Sequence, residues 1–208
     1  MFPEQSNYQF EEMETTRQIA CEMAQLAYPP ITLSNDTIDK LASILVRIEL
    51  KKGERYLREN DVCRYIGYVQ RGMIRQFYYK NDKDLTEHFA SENTIFFCIE
   101  SFLRQQPTTL LAEAVQHSVV YGVPYDEIHE LAKTNYEMEL IYRGWIEDSL
   151  ILSQHNIDSF RFETAHERYK RLLKERPEVI RHAPLSQIAS YLLMTPETLS
   201  RVRATIQS

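Results

Sequence analysis

The sequence predicts an α+β protein: an antiparallel, jelly-roll-like double-sheet β-roll, then a long helix, then a pair of short helices. Three observations carry this reading. The apolar period changes from 3.6 to 2 near Val46 and returns to 3.6 after Pro124. Between those points lie about eight short apolar runs separated by turn residues. Residues 135–160 hold no proline and only Gly144 as a helix breaker. Short strands at this spacing suit a roll or barrel rather than a parallel α/β sheet.

Residues from near Phe10 to Leu26 place Met13, Ile19, Met23 and Leu26 at mostly helical spacing, and Pro29-Pro30 ends that segment. A second helix starts at the Ser34-Asn35-Asp36 cap, with Ile38, Leu41 and Leu45 on one face. Val46, Ile48 and Leu50 then alternate with charges, and the Lys52-Gly53 turn leads into Tyr56-Leu57. The turn Glu59-Asn60-Asp61 precedes a strand over Tyr65 to Val69. Gly72 leads into Met73 to Tyr79, and the turn Asn81 to Asp84 into Leu85 to Phe89. Thr94 to Phe97, Leu110 to Val115 and Val119 to Val123 complete the set.

The long helix, about 37 Å at 1.5 Å per residue, carries two apolar stripes. Met138, Ile141, Trp145 and Leu152 form one; Tyr142, Ile146, Leu150, Ile157 and Phe160 form its neighbour. One stripe can cover the roll, and a second copy of the helix about a two-fold axis would cover the other. The domains expected are a helical extension (1–33), the roll (34–134), the dimerisation helix (135–160) and a C-terminal unit (161–208).

Composition narrows the function classes. The 208 residues are 43% hydrophobic and 26% charged, which sets aside disordered, collagenous and disulfide-framework chains. No apolar run is long enough to span a bilayer, and the start MFPEQSNYQFEEMETT is acidic and polar, so a cytoplasmic location without a membrane partner is expected. Cys21, Cys63 and Cys98 are far apart with no CxxC pair, and the six histidines, His88 among them, show no paired spacing; reduced thiols, ordinary histidines and no metal site follow. With no Gly-rich phosphate loop, HExxH or Gly-x-Ser-x-Gly elbow, no catalytic residues are assigned and the chain is not read as an enzyme. The pairs Glu11-Glu12 and Asp82/Asp84 are read as a solvated helix face and a hairpin turn.

Net charge is −6, but residues 161–208 hold nine Lys/Arg against five Asp/Glu and so carry +4. A basic module on an acidic body fits a DNA-binding tail. Within it, Pro184 to Leu192 reads as a short amphipathic helix with Leu185, Ile188, Ala189 and Leu192 inward. After the Leu193-Met194 turn, Thr195 is an N-cap, Pro196 a first helical residue and Glu197 a first-turn anion. Leu199 and Val202 face inward, and Ser200, Arg201 and Arg203 outward with Glu197, which is a helix-turn-helix pattern.

IASYLLMTPETLSRVR resembles the helix-turn-helix of Crp/Fnr-type bacterial transcription regulators. KKGERYLRENDVCRYIGYVQRGMIRQFYY is similar to the first half of that family's cyclic-nucleotide-binding β-roll. The resemblance spans roughly residues 33 to 206. It implies a homodimer with a winged-helix-type helix-turn-helix DNA-binding domain that recognises an inverted-repeat operator in double-stranded DNA. RNA polymerase and an unidentified small-molecule effector are further candidate partners. By the resemblance, Arg201 would pair with guanine and Glu197 with cytosine N4. Ser200 would touch a base edge or a phosphate. Ser186, Thr195, Pro196 and Arg203, with Lys170, Arg171 and Lys174, would fix position on the backbone.

Two departures matter. In cyclic-nucleotide-binding members a Gly-Glu pair takes the ribose and an Arg-Ser or Arg-Thr pair the phosphate. Here Glu100 could stand for the acid and Thr109 for the hydroxyl, with Ser101 and Arg104 nearby. Thr108, however, stands where the arginine belongs. A buried phosphate needs a fixed cation or several backbone donors, so ordinary cyclic AMP binding is not expected and no cofactor is assigned. The second departure is Leu193, where the family usually has glycine; a leucine at positive φ costs roughly 1 kcal/mol or more, so a differently built turn is expected. The alternative reading is a small-ligand sensor or protein-interaction module with a degenerate pocket and no strong DNA binding.

Overall fold

The computed structural model describes residues 4–27, 32–81 and 83–207. Among these, the period-2 region forms eight strands: β1 (Val46–Leu50), β2 (Arg55–Leu57), β3 (Tyr65–Arg71), β4 (Met73–Lys80), β5 (Lys83–Ser91), β6 (Ile95–Phe96), β7 (Leu111–Ala114) and β8 (Ser118–Pro124). They make two four-stranded sheets, ordered β1-β8-β3-β6 and β2-β7-β4-β5. All the strand pairs are antiparallel, as expected for a roll. The β3–β4 turn depends on Gly72 at φ +97, where a Cβ would collide with the Ser118 hydroxyl. The Pro29-Pro30 break and Asp82 of the expected β4–β5 turn lie outside the described residues.

Helix α1 (Glu4–Gln25) starts earlier than its apolar pattern. It sinks Ile19, Ala20, Met23 and Ala24 into the roll's core and leaves Met13 exposed. Helix α2 (Asn35–Ile44) is capped by Ser34, whose hydroxyl accepts from the Thr37 N–H. Ile38 and Leu41 are buried beneath it, while Leu45 falls at the C-cap, half-buried. Between β6 and β7 a short helix, α3 (Ile99–Arg104), ends on Gln105 at φ +49.

The returning helical period contains a break that periodicity did not mark. Helix α4 (Tyr125–Thr134) stops at Asn135, which then caps α5 (Tyr136–Phe162) by accepting from the Met138 N–H at 3.1 Å. The two stripes of α5 do not separate as expected. Met138, Ile141 and Trp145 are fully buried in the roll's core, and the Trp145 indole donates to the Met23 carbonyl at 2.9 Å. Leu152, assigned to that same stripe, is exposed together with Leu150, Ile151 and Ile157. Packing therefore divides α5 along its length: the first half lies on the roll, and the second half projects its apolar residues outward.

The C-terminal residues form α6 (Ala165–Glu175), α7 (Pro177–His182), α8 (Leu185–Tyr191) and α9 (Pro196–Gln207). Thr164 and Glu167 make a capping box at the start of α6. No strand lies in this unit among the described residues, so of the expected winged-helix type only the helices are present there, without a β wing. Its core, Tyr169, Leu172, Val179, Ile188, Leu192, Leu199 and Val202, is continuous with Met73, Phe89 and Val115 of the roll.

Candidate functional site

Two features concentrate chemistry. The first is a cavity of about 780 Å³ between the β4–β5 side of the roll, α3 with its following loop, and the second half of α5. Strand β4 contributes Gln76 and Tyr78; β5 contributes Glu87 and His88; α5 contributes Ser149, Leu150, Leu152, Ser153 and Asn156. A β-bulge explains how two neighbours on β5 reach the same space. Gln76 pairs with His88 and Phe77 with Thr86, so Glu87 is the extra residue and the alternation of faces is broken there.

Glu100, Ser101, Arg104, Thr108 and Thr109 all line this cavity. Their roles differ from one another. Glu100 and Arg104 stand exposed at the rim, 3.7 Å apart as an i,i+4 ion pair. Ser101 is buried, and its hydroxyl is consumed by the fold: it donates to the Gln106 carbonyl and accepts from the Cys63 N–H. The Thr108 hydroxyl contacts the Cys98 sulfur at 3.4 Å and accepts from the Leu110 N–H at 3.0 Å. Arg104 is the one arginine or lysine lining the cavity among the described residues.

Gln76, Tyr78, Glu87 and His88 escaped sequence reasoning. Partial desolvation pushes the Glu87 carboxyl up although its side chain keeps contact with solvent, and the Tyr78 hydroxyl draws it partly back. Burial, then the nearby Arg176 charge, pushes the His88 imidazole down, so it is neutral. His88 is accordingly a neutral, core-type histidine that borders the cavity. One signal was available: Ser149, Ser153 and Asn156 make a polar strip at i, i+4, i+7 along an otherwise apolar helix face.

The second feature is the face of α9. Thr195 accepts from the Thr198 N–H at 3.2 Å, closing the first turn. Thr195, Pro196, Glu197, Ser200 and Arg201 are exposed above buried Leu199 and Val202, with Arg203 half-buried at the side and Ser186 exposed on α8. The Glu197 carboxylate is held below its ordinary range by its own backbone N–H, then by the Thr195 hydroxyl and Arg201. Leu193 does adopt the left-handed conformation, at φ +51. The expected rebuilding of the turn is therefore corrected. The Met194 N–H reaches the Ala189 carbonyl at 2.9 Å, a helix-ending bond that only this conformation makes, and the leucine side chain stays in solvent.

One of the candidate phosphate contacts changes role. Arg171 is spent on Glu163 at 3.1 Å and on the Ser159 hydroxyl, which tie α6 to the end of α5. Lys170 and Lys174 remain exposed on α6. The helix-turn-helix is itself docked on β5. The Thr86 N–H donates to Ser190 Oγ at 2.8 Å, Ser190 Oγ donates to the Asp84 carbonyl at 3.0 Å, and Tyr191 packs edge-on against Phe89. Arg176 bonds the Phe89 carbonyl, and Ser91 donates to Glu178 at 2.9 Å. Strand β5 thus meets the helix-turn-helix at Thr86 and Phe89 and the cavity at the two residues between them.

Among the described residues no helix is long and apolar enough to cross a membrane, and no group of three or more His, Cys, Asp or Glu could hold a metal ion. Residues 47–135 match the family described as Cyclic nucleotide-binding domain. A comparison with curated proteins found no match. Among solved structures the chain is similar to FixK2 from Bradyrhizobium japonicum, at 19% identity and TM-score 0.69 over 79% of this chain and 85% of that one. It is similar to the Thermus thermophilus Catabolite Activator Protein, at 17% identity and TM-score 0.52 over 84% of each chain. It is also similar to the c-di-GMP responsive global regulator CLP of Xanthomonas campestris, at 15% identity and TM-score 0.64 over 84% of this chain and 92% of that one.

Proposed function

Because the chain is built as the Crp/Fnr regulators are built, with a cyclic nucleotide-binding-type domain at residues 47–135, we propose that it is a homodimeric, sequence-specific DNA-binding transcription regulator. The observation that carries this reading is the exposed face of α9. Its first turns present Glu197, Ser200 and Arg201 to solvent above a buried Leu199 and Val202. A helix entering the major groove needs that division, because only its leading residues reach base edges.

In this reading Arg201 pairs with guanine O6/N7 and Glu197 accepts from cytosine N4, with Ser200 beside them. Ser186, Thr195, Pro196, Arg203, Lys170 and Lys174 set position on phosphates. The exposed Leu150, Ile151 and Ile157 of α5 pair with the same helix of a second copy, which brings two α9 helices to successive major grooves. The cavity holds a small-molecule effector. The site that would take a cyclic nucleotide phosphate carries Thr108 and no cation, so that effector is not cyclic AMP held in the usual way.

Selection of bound sequences from a random duplex pool tests the reading. The expected product is an inverted repeat with half-sites about one helical turn apart, ~34 Å centre to centre. Uniform, sequence-independent recovery, or no salt-sensitive binding, overturns it and favours a sensor whose helices meet a protein partner.

A further inference from the structure

The cavity's charge census identifies a ligand class. Among the described residues two carboxylates line it, Glu87 and Glu100, against one cationic side chain, Arg104. Arg104 is two-thirds exposed and sits 3.7 Å from Glu100, so those two charges answer each other at the rim. Glu87 lines the cavity with a solvent-accessible carboxyl that has no ion pair among the described residues, and the Tyr78 hydroxyl is its hydrogen-bond partner. His88 beside it holds no charge, and the α5 wall offers only the neutral polar groups of Ser149, Ser153 and Asn156. The β5 bulge brings the lone carboxyl to the cavity wall beside His88, where regular alternation would have put the two on opposite faces.

A ligand cation seated beside an unpaired carboxylate gains an attraction that strengthens as the ligand's body displaces water from the cavity. A phosphate or carboxylate ligand would instead bring like charge beside it. We propose that the cavity receives a small protonated amine with an apolar body. The ammonium lies on the Glu87 carboxylate with the Tyr78 oxygen accepting a second N–H, and the body rests against Ile95 and Leu110. This rests on the reading of the cavity as the effector site.

The test uses the full chain, with phenethylammonium, phenylacetate and cyclic AMP as probes, read by thermal unfolding and titration calorimetry. Phenethylammonium at about 1 mM should raise the melting temperature, since a ligand that binds only the folded state stabilises it. Glu87→Gln should weaken its affinity at least tenfold, roughly 1.4 kcal/mol. Phenylacetate should produce no shift. Should Glu87→Gln fail to melt cooperatively, Tyr78→Phe serves in its place, with a smaller but measurable loss of phenethylammonium affinity. An equal or larger shift with phenylacetate or cyclic AMP, an undiminished shift in Glu87→Gln, or no shift with any probe overturns the amine assignment. Duplex DNA binding, measured separately without probes, reports on the regulator reading. If it persists while the amine fails, only the ligand class is lost; if DNA binding is absent while the amine binds, only the regulator reading is lost.

Discussion

Ser190→Ala tests how the helix-turn-helix is held to the roll. Ser190 sits in the last turn of α8, and its hydroxyl is the sole bridge in a two-bond relay, accepting from the Thr86 N–H and donating to the Asp84 carbonyl. Each bond contributes about 1 kcal/mol net. The Asp84 carbonyl belongs to an exposed residue and rehydrates, whereas Thr86 is 5% exposed on edge strand β5, so its N–H loses an acceptor that water replaces poorly. A buried orphan donor costs about 1–3 kcal/mol, and the better helix propensity of alanine returns roughly 0.5 kcal/mol. The expected net loss is therefore about 1–2 kcal/mol. Urea unfolding of Ser190→Ala against Ser186→Ala, an exposed serine one turn earlier, measures it, and amide hydrogen exchange reads the Thr86 N–H directly. If the two variants are equally stable and Thr86 exchange does not accelerate, the docking is not maintained by this relay and the reasoning fails.

Other consequences are equally direct. Leu150→Asp with Ile157→Asp should convert a dimer of 24.6 kDa subunits to monomer in sedimentation at micromolar concentration, with the fold retained; a wild-type monomer would remove the role given to α5. Ile141→Asp is a different experiment, since Ile141 is fully buried in the roll's core and its replacement should unfold the chain. Calorimetry should detect no cyclic AMP binding at about 10 μM or tighter, because the Thr108 position offers no cation to offset phosphate desolvation. Arg201→Ala should cost roughly 1–3 kcal/mol and relax preference at one position per half-site, whereas Arg203→Ala should weaken all sequences alike and flatten the salt dependence; matching behaviour would mean α9 is oriented otherwise. Burial holds the His88 imidazole down at about 3 against an ordinary 6.5, so the unfolded chain binds the extra proton and His88 subtracts stability as pH falls below about 6.5. His88→Gln should flatten that decline in urea titrations between about pH 6 and 4, and an unchanged slope would refute it. Glu87, with its pKa raised, works in the opposite sense as pH rises, so the comparison is variant against wild type.

Much of the architecture was legible in one dimension because periodicity and turn chemistry are local. Val46 begins the strands, Pro124 closes them, Ser34 and Thr195 cap helices, and Leu199 and Val202 turn inward beneath Glu197, Ser200 and Arg201, all from residue type and spacing. Even the strained position at Leu193 could be located, though not the outcome. The bond from Met194 to Ala189 and an open surface over the side chain decided that the strain is borne rather than avoided.

The tertiary structure decided what depends on which surface covers which. Ile141 and Leu152 look alike on a helical wheel, and only the reach of the roll and α1 along α5 buries one and leaves the other in water. Arg171 reads as a free cation until Glu163 and Ser159 fold against it. Glu87 and His88 read as alternating strand residues, and the bulge that turns both into one cavity arises from pairing with β4, 11 residues back in the chain from Glu87 to Gln76. Sequence sets the local conformations, but a side chain's electrostatic surroundings are assembled from distant segments, and here those surroundings make the candidate site.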